Sequence, residues 1–383
     1  MSAGLYVHVP FCLTRCGYCD FNAYAGLGHL ASRYADALRA EADLASGEWR
    51  TERFVSAFIG GGTPTTLDTQ TLSDLLHHLR HRFHLTPDAE ITIEANPDTV
   101  DEGKLAALLE GGFTRLSMGV QSFDARVLDA LERVHSADSA RRAYEAARSA
   151  GYANVNIDLI YGARGESIES WRRTLEEAID LGPEHLSCYA LTIEPATPLG
   201  RRVAAGLVPS PDADLQAEMY FLACELLGTA GYRHYEVSNW AKPGLECVHN
   251  LGYWEGRVYL GLGAGAHSCR HSRRWWNLRP PLAYVESVEA GRAPVGGEEC
   301  LGPDDERLER IFLGLRTADG IPAGLIDLQV ARPYLDESLL TRTDGRIALT
   351  DRGMIVANEI VVALAEGPIP STLGSGVLDV LQR

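Results

Sequence analysis

Between residues 5 and 191 the chain alternates short apolar runs with longer amphipathic ones. The apolar, β-rich runs are 5–9, 54–59, 90–95, 115–119, 155–160 and 185–191. Between them, stretches such as 31–44, 72–83, 103–109, 137–150 and 167–181 carry apolar residues at helical spacing. Strand–helix alternation predicts βαβ units and a parallel sheet, hence an α/β fold. Six units fit either an open doubly wound sheet or an incomplete, (βα)6 version of the eight-fold TIM barrel. The polar residues favour the partial barrel, because such folds build their sites at the C-terminal ends of the strands.

Each strand end here carries chemistry. Strand one runs into a loop with Cys12, Cys16 and Cys19, and strand two into Gly60-Gly61-Gly62-Thr63-Pro64-Thr65. Strand three ends in Glu94-Ala95-Asn96-Pro97-Asp98 and strand four in Gly119-Val120-Gln121-Ser122-Phe123. Strand five carries Asp158 and ends in Tyr161-Gly162; strand six holds Tyr189-Ala190. The glycine run reads as a tight turn with Thr63 as a helix cap, or as backbone that approaches a ligand closely. Glu94 reads as a cap or ion-pair residue, or as a polar partner for that ligand. Gln121, Arg133 and Asp158 are ambiguous singly and suggest one pocket together.

The next hundred residues are less regular. Residues 212–230 have helical spacing, and 258–267 read as one glycine-rich strand. Its G-x-G-x-G lacks the βαβ unit and downstream acid of a dinucleotide site. His249 reads first as a hydrogen-bonded structural residue, with Tyr253 and Trp254 as packing groups. A histidine is also a haem-iron ligand, and aromatic rings can flank a planar macrocycle. No C-x-x-C-H marks covalent haem attachment. From 301 onward, helical patterns at 304–315 and 351–364 bracket an Asp344-Gly345 hairpin signal, which suggests a winged-helix-like unit. The expected division is 1–200 for the barrel, 201–300 for an extension and 301–383 for the C-terminal domain. The stretch 367–383 opens rich in Pro, Gly and Ser and is expected to be loosely ordered.

The cysteine loop narrows the chemistry. Thiolates suit zinc, Cu(I) or iron–sulfur. Three are too few for a closed structural zinc site. On a four-iron cluster they leave one iron open to a ligand. A zinc site completed by His8, and unrelated buried thiols, are the competing readings. The other five of the eight cysteines are scattered, so no secreted disulfide framework is indicated. The first strand begins almost at Met1, so no signal peptide is expected. No apolar run approaches the ~20 residues of a membrane span. A reducing cytoplasm is the expected compartment. With 45% hydrophobic and 23% charged residues the chain is ordinary globular protein. Its net charge of −17 argues against a nucleic-acid partner.

The spacing C-x3-C-x2-C with Tyr18 before the last thiol resembles the signature of the radical S-adenosylmethionine superfamily. With YVHVPFC, GGGTPT, IEANPD, GVQSF, DLIYG and HN-x2-YW, nearly the whole chain resembles the oxygen-independent coproporphyrinogen III oxidase family. The resemblance implies a [4Fe–4S] cluster on Cys12, Cys16 and Cys19. It implies S-adenosylmethionine on its open iron, in contact with Tyr6, Gly61 and Glu94. Tyr18, Gly62, Thr63, Gln121, Arg133, Asp158 and Ala190 match positions that line a second S-adenosylmethionine site in the oxidase. The oxidase branch carries a fourth cysteine where this chain has Phe21, and an isoleucine near the first site where this chain has His267.

The chain instead carries HNLGYW (His249, Asn250, Tyr253, Trp254), similar to the HemW-type branch, whose members bind haem and are regarded as haem chaperones. The expected function is therefore a haem chaperone that binds cluster, S-adenosylmethionine and haem. It would pass haem to an acceptor apoprotein such as a respiratory cytochrome, with a homodimer as the candidate assembly. A radical decarboxylase of coproporphyrinogen III is the alternative, and an RNA-modifying radical enzyme a third reading that the acidic charge disfavours.

Overall fold

The computed structural model describes residues 2–365. The sequence stretch 367–383 lies outside them. Six strands run parallel and side by side in chain order: β1 (Ser2–Val9), β2 (Arg53–Gly61), β3 (Leu85–Ala95), β4 (Arg115–Gln121), β5 (Val155–Tyr161) and β6 (His185–Ala190). Helices α1 (Ala31–Ala45), α2 (Thr69–Arg82), α3 (Glu102–Glu110), α4 (Ala137–Ser149) and α5 (Ile168–Leu181) connect them. This is the partial (βα)6 barrel expected from the alternation.

Local sequence sets the helix limits. Asp68, Asp101 and Ser136 each accept a backbone N–H of the first turn, and Gly182 closes α5 with φ +72°. On α2, Leu72, Leu75, Leu76 and Leu79 form one buried stripe. Each such side chain contributes about 1.5–3 kcal/mol on burial. Leu76→Ala would cost about 2–5 kcal/mol.

The strands bury both faces differently. Leu5, Val7 and Val9, Ile91 and Ile93, Leu116 and Met118, and Val155, Ile157 and Leu159 are fully buried in the main core. The alternate positions Tyr6, Glu94, Arg115, Ser117, Asn156, Asp158, Ser187 and Tyr189 line an interior cavity. Neighbouring strands hold these inward groups in register: Glu94 faces Ser117, Ser117 faces Asn156, and Asp158 faces Ser187.

Residues beyond 200 extend the same sheet to twelve strands. After the helix α6 (Ala213–Thr229), strands β7 (Arg233–Glu236) and β8 (Asn239–Ala241) continue it antiparallel past β6. Strand β9 (Val258–Leu262) lies parallel beside β1, followed by antiparallel β10 (His267–Arg270), β11 (Arg273–Asn277) and β12 (Val295–Cys300). The run 258–267 is thus two strands and not one. Gly263 and Gly265, at φ +101° and +74°, turn the chain between them. The C-terminal residues form a three-stranded sheet with helices, including the hairpin Leu340–Thr343 to Arg346–Leu349. Asp344 and Gly345, both at positive φ, make its two-residue turn.

Candidate functional site

The cysteine loop is tied to the glycine run by backbone bonds. Gly62 N–H donates to Val9 O at 2.8 Å and Thr63 N–H to Phe11 O at 2.7 Å. Across the loop, Phe11–Cys12 pairs with Tyr24–Ala25, and Leu199 N–H donates to Gly17 O. Cys12, Cys16 and Cys19 are half-buried free thiols.

A chain of side chains links two of these sulfurs. Cys12 Sγ lies 3.6 Å from Thr63 Oγ1, which accepts from Asn96 Nδ2 at 3.1 Å. Asn96 Oδ1 accepts from Arg133 Nη2 at 2.6 Å, and Arg133 Nη1 points at Cys16 Sγ at 3.5 Å. Arg133 also donates to Gly119 O at 2.9 Å. Burial pushes the Cys12 thiol up, partly offset by Thr63, and pushes Cys19 up to about 11. These thiols stay protonated at neutral pH until a metal displaces the proton. A hydroxyl and a guanidinium aimed at the sulfurs suit thiolates that carry a cluster's negative charge. The residues present therefore fit a [4Fe–4S] cluster.

The rim continues around the barrel. Gly61 sits at φ +111°, and its N–H donates to Glu94 Oε2 at 2.9 Å. A Cβ on Gly61 would run into the His8 ring, and one on Gly60 into the Glu94 carboxyl. Burial, then the nearby Asp158 charge, push Glu94 up to about 7. Gln121 adopts φ +67°, a strained position for a non-glycine residue, and its amide curls over Gly119 beside Asn96 and Arg133. Tyr18 packs against the small apolar cluster of Val127, Leu131 and Leu199. Ala190 is exposed at the end of β6.

Below the rim lies a cavity of about 210 Å³. Tyr6, Glu94 and Asp158 line it with His249, Asn250 and Tyr253, whereas Trp254 and His267 do not. Asp158 accepts from Asn156 and Ser117, and burial raises its pKa. Tyr6 OH bonds His8 Nδ1 at 2.8 Å. Arg115 is fully buried against the cavity, with Glu90 at 3.9 Å as its ion-pair partner.

HNLGYW forms the helix α7 (Val248–Trp254). Glu90 from β3 accepts the Val248 and His249 N–H groups at its N-terminus, each at 3.2 Å. A carboxylate at a helix N-terminus is favoured by both hydrogen bonding and the dipole. His249 is buried, stacked at 5.2 Å on Phe58 and edge-on to Tyr253 at 4.9 Å. Nδ1 bonds Ser56 Oγ at 2.9 Å and Nε2 bonds Tyr253 OH at 3.1 Å. Burial, then the Arg115 charge, push its pKa down to about 3, so the ring is neutral.

The structure thus brings Cys12, Cys16, Thr63 and Arg133 into one network through Asn96, with the Gln121 amide beside it, and joins Gly61 to Glu94. It puts Tyr6, Glu94, Asp158 and His249 around one cavity. Sequence reasoning missed Asn96, which bridges Thr63 and Arg133, and Ser56, Glu90 and Arg115 on the barrel floor. Asn96 stood inside a motif already read as chemical. The other three were legible only as polar residues at alternate strand positions.

A model of the radical SAM superfamily matches residues 6–178. The chain is 43% identical over 367 residues to the heme chaperone HemW of Mycobacterium tuberculosis, covering 94% of each protein. The chain belongs to the HemW family of radical SAM proteins. It is also 40% identical to the Escherichia coli heme chaperone HemW, over 93% of this chain and 96% of the relative. Among solved structures it is similar to the coproporphyrinogen III oxidase HemN of Escherichia coli, a radical SAM enzyme. There the TM-score is 0.82 at 26% identity, over 95% of this chain and 90% of the other. As a HemW-family chain it carries the TIM-like radical SAM fold, which the family match implies is built around an iron–sulfur cluster and S-adenosylmethionine. Among the described residues no helix is long and apolar enough to cross a membrane.

Proposed function

We propose that this protein is a cytoplasmic haem chaperone that receives haem at the HNLGYW helix and passes it to an apoprotein, such as a respiratory cytochrome. The observation that carries the proposal is the placement of HNLGYW. Its helix forms the barrel floor, with His249 lining the cavity that Tyr6, Glu94 and Asp158 share. Cys12, Cys16 and Cys19 would hold a [4Fe–4S] cluster, and Tyr6, Gly61 and Glu94 would contact S-adenosylmethionine. Tyr18, Gly62, Thr63, Gln121, Arg133, Asp158 and Ala190 would line a second place for it. When bound, cluster and S-adenosylmethionine together supply one-electron chemistry. The chain's own residues position them: Thr63 and Arg133 face the sulfurs, and Glu94 fixes the Gly61 amide.

Haem itself does not fit the closed floor. Drug-sized ligands need about 300–1,000 Å³, and the cavity offers about 210 Å³. The Nε2 that would bind iron is already hydrogen-bonded to the Tyr253 hydroxyl. Haem ligation by His249 therefore requires Tyr253 to yield and α7 to move outward. The test is anaerobic haem titration of the cluster-loaded protein, read by the Soret band. Tyr253→Phe frees Nε2 and is expected to bind haem more tightly, whereas His249→Phe loses the axial-ligand signature. An unchanged Soret band in His249→Phe would remove His249 as a ligand, and absence of any haem binding would sink the chaperone reading.

The fold shared with HemN favours a second reading, radical decarboxylation of coproporphyrinogen III. Carbon dioxide release under anaerobic reducing conditions would establish it. The exposed Phe21, 65% accessible where the oxidase has a fourth cysteine, counts against it.

A further inference from the structure

Away from the cysteine loop, three metal-binding side chains meet at the seam between the sheet edge and the C-terminal residues. Cys224 lies on α6, His234 on the edge strand β7, and Asp351 opens the short helix Asp351–Met354. Cys224 Sγ, a His234 ring nitrogen and an Asp351 carboxylate oxygen all lie within 4.8 Å of one another. In a tetrahedral zinc site with bonds of about 2.0–2.3 Å, ligand atoms stand ~3.3–3.8 Å apart. Side-chain rotation of about one ångström would close the trio into such a shell.

A second observation marks the same place. His234 Nε2 and Trp240 Nε1 are buried without a hydrogen-bond partner, and the Tyr220 hydroxyl lies against the Cys224 thiol. Tyr220 and Trp240 are 4% and 0% exposed. His234 stacks flat on Trp240 at 4.2 Å, with the Tyr220 ring edge-on at 5.9 Å. Tyr220 stands one helical turn before Cys224, so both side chains share a face of α6. Native interiors leave few polar atoms unpaired, and an imidazole with one buried nitrogen unpartnered, beside a thiol and a carboxylate, points to a missing partner. His234 Nδ1 lies 3.0 Å from Asp351 Oδ1, close to the spacing of two ligand atoms on one zinc.

We propose that Cys224, His234 and Asp351 bind one zinc ion, with water as a fourth ligand, clasping the C-terminal residues to the barrel sheet. Sulfur, nitrogen and oxygen donors together suit zinc, whereas magnesium and calcium prefer oxygen alone. The site is independent of the haem reading.

The test uses full-length protein with its cluster loaded, so that Cys12, Cys16 and Cys19 are engaged. Zinc sulfate is titrated in by calorimetry, with metal analysis after desalting. One zinc per chain is expected, bound at least tenfold more weakly by Cys224→Ser and by His234→Gln. Zinc should also protect Cys224 of the unmutated chain from iodoacetamide, read by mass spectrometry, while the exposed Cys300 reacts equally with and without the metal. That readout needs no variant to fold. No zinc beyond the cluster metal, unchanged affinity in Cys224→Ser, or no protection of Cys224 would each overturn the proposal.

Discussion

Replacing His249 with alanine is the obvious probe of haem binding, and the structure predicts that it reports mainly on stability. The ring is buried between Phe58, Tyr6 and Tyr253 and bonds both Ser56 and Tyr253. Deleting a buried ring of this size costs about 3–5 kcal/mol. Leaving a buried hydroxyl unpaired costs a further ~1–3 kcal/mol. The expected loss for His249→Ala, about 4 kcal/mol or more, is a large share of a typical stability of about 5–15 kcal/mol. His249→Phe keeps most of the volume and removes only the two hydrogen bonds, so about 2 kcal/mol is expected. Denaturant unfolding of the cluster-loaded protein, followed by circular dichroism, separates the two. The reasoning fails if His249→Ala unfolds within about 1 kcal/mol of the parent, because the ring would then not be part of the packed floor. Haem titrations should therefore compare His249→Phe with the parent and omit the alanine variant.

Three further outcomes follow from the geometry. Gly61→Ala places a Cβ at φ +111° and against His8; it should cost at least about 2 kcal/mol and weaken S-adenosylmethionine binding more than tenfold by equilibrium dialysis, and wild-type affinity would refute the cradle. Arg133→Met removes a positive group 3.5 Å from Cys16 Sγ; the cluster's reduction potential should fall in a redox titration, and an unchanged potential would show that the contact is lost once the cluster is in place. Burial raises Glu41 from 4.5 to about 7. The folded state then binds more protons than the unfolded state between those values, so stability falls as pH rises through them, by about 3 kcal/mol in total for this group. Glu41→Gln should flatten that part of the stability–pH curve, and an identical slope would refute the assignment.

Much of this was written in the sequence, for physical reasons. The six parallel strands stood out because their helix-facing positions are branched or large apolar residues and their ends carry Cys, Gly or carboxylates. The cysteine spacing and the strand-end glycines gave the rim. The barrel floor was harder to see. Ser56, Glu90 and Arg115 sit far apart in sequence, and only the register of β2, β3 and β4 gathers them at the HNLGYW helix, with Arg115 on the cavity wall. The sign of their presence was period-two alternation inside strands that otherwise read as apolar. The seam trio was invisible in the same way, since Cys224, His234 and Asp351 share no motif spacing.

The floor also changes what HNLGYW means. Read as sequence, the motif offers a histidine with aromatic neighbours for a macrocycle. In the fold, Glu90 caps its helix, Ser56 and Tyr253 occupy both imidazole nitrogens, and burial, aided by the Arg115 charge, keeps the ring neutral. A neutral imidazole is the form that binds iron, so under the proposed function the floor would hold His249 in a ligating protonation state while Tyr253 covers its Nε2. The block is one hydrogen bond to a tyrosine on the same helix, worth about 1 kcal/mol net. Such a bond yields readily to a metal–nitrogen bond. The larger cost is undocking α7 from Glu90, and this would make haem capture sensitive to Glu90→Gln at the helix N-terminus. That variant keeps one acceptor oxygen but loses the charge that faces the helix dipole and Arg115. Faster haem uptake in stopped-flow mixing of Glu90→Gln, with the same final Soret band, is the expected result. An unaltered rate would mean that haem reaches its ligand without the helix leaving the floor.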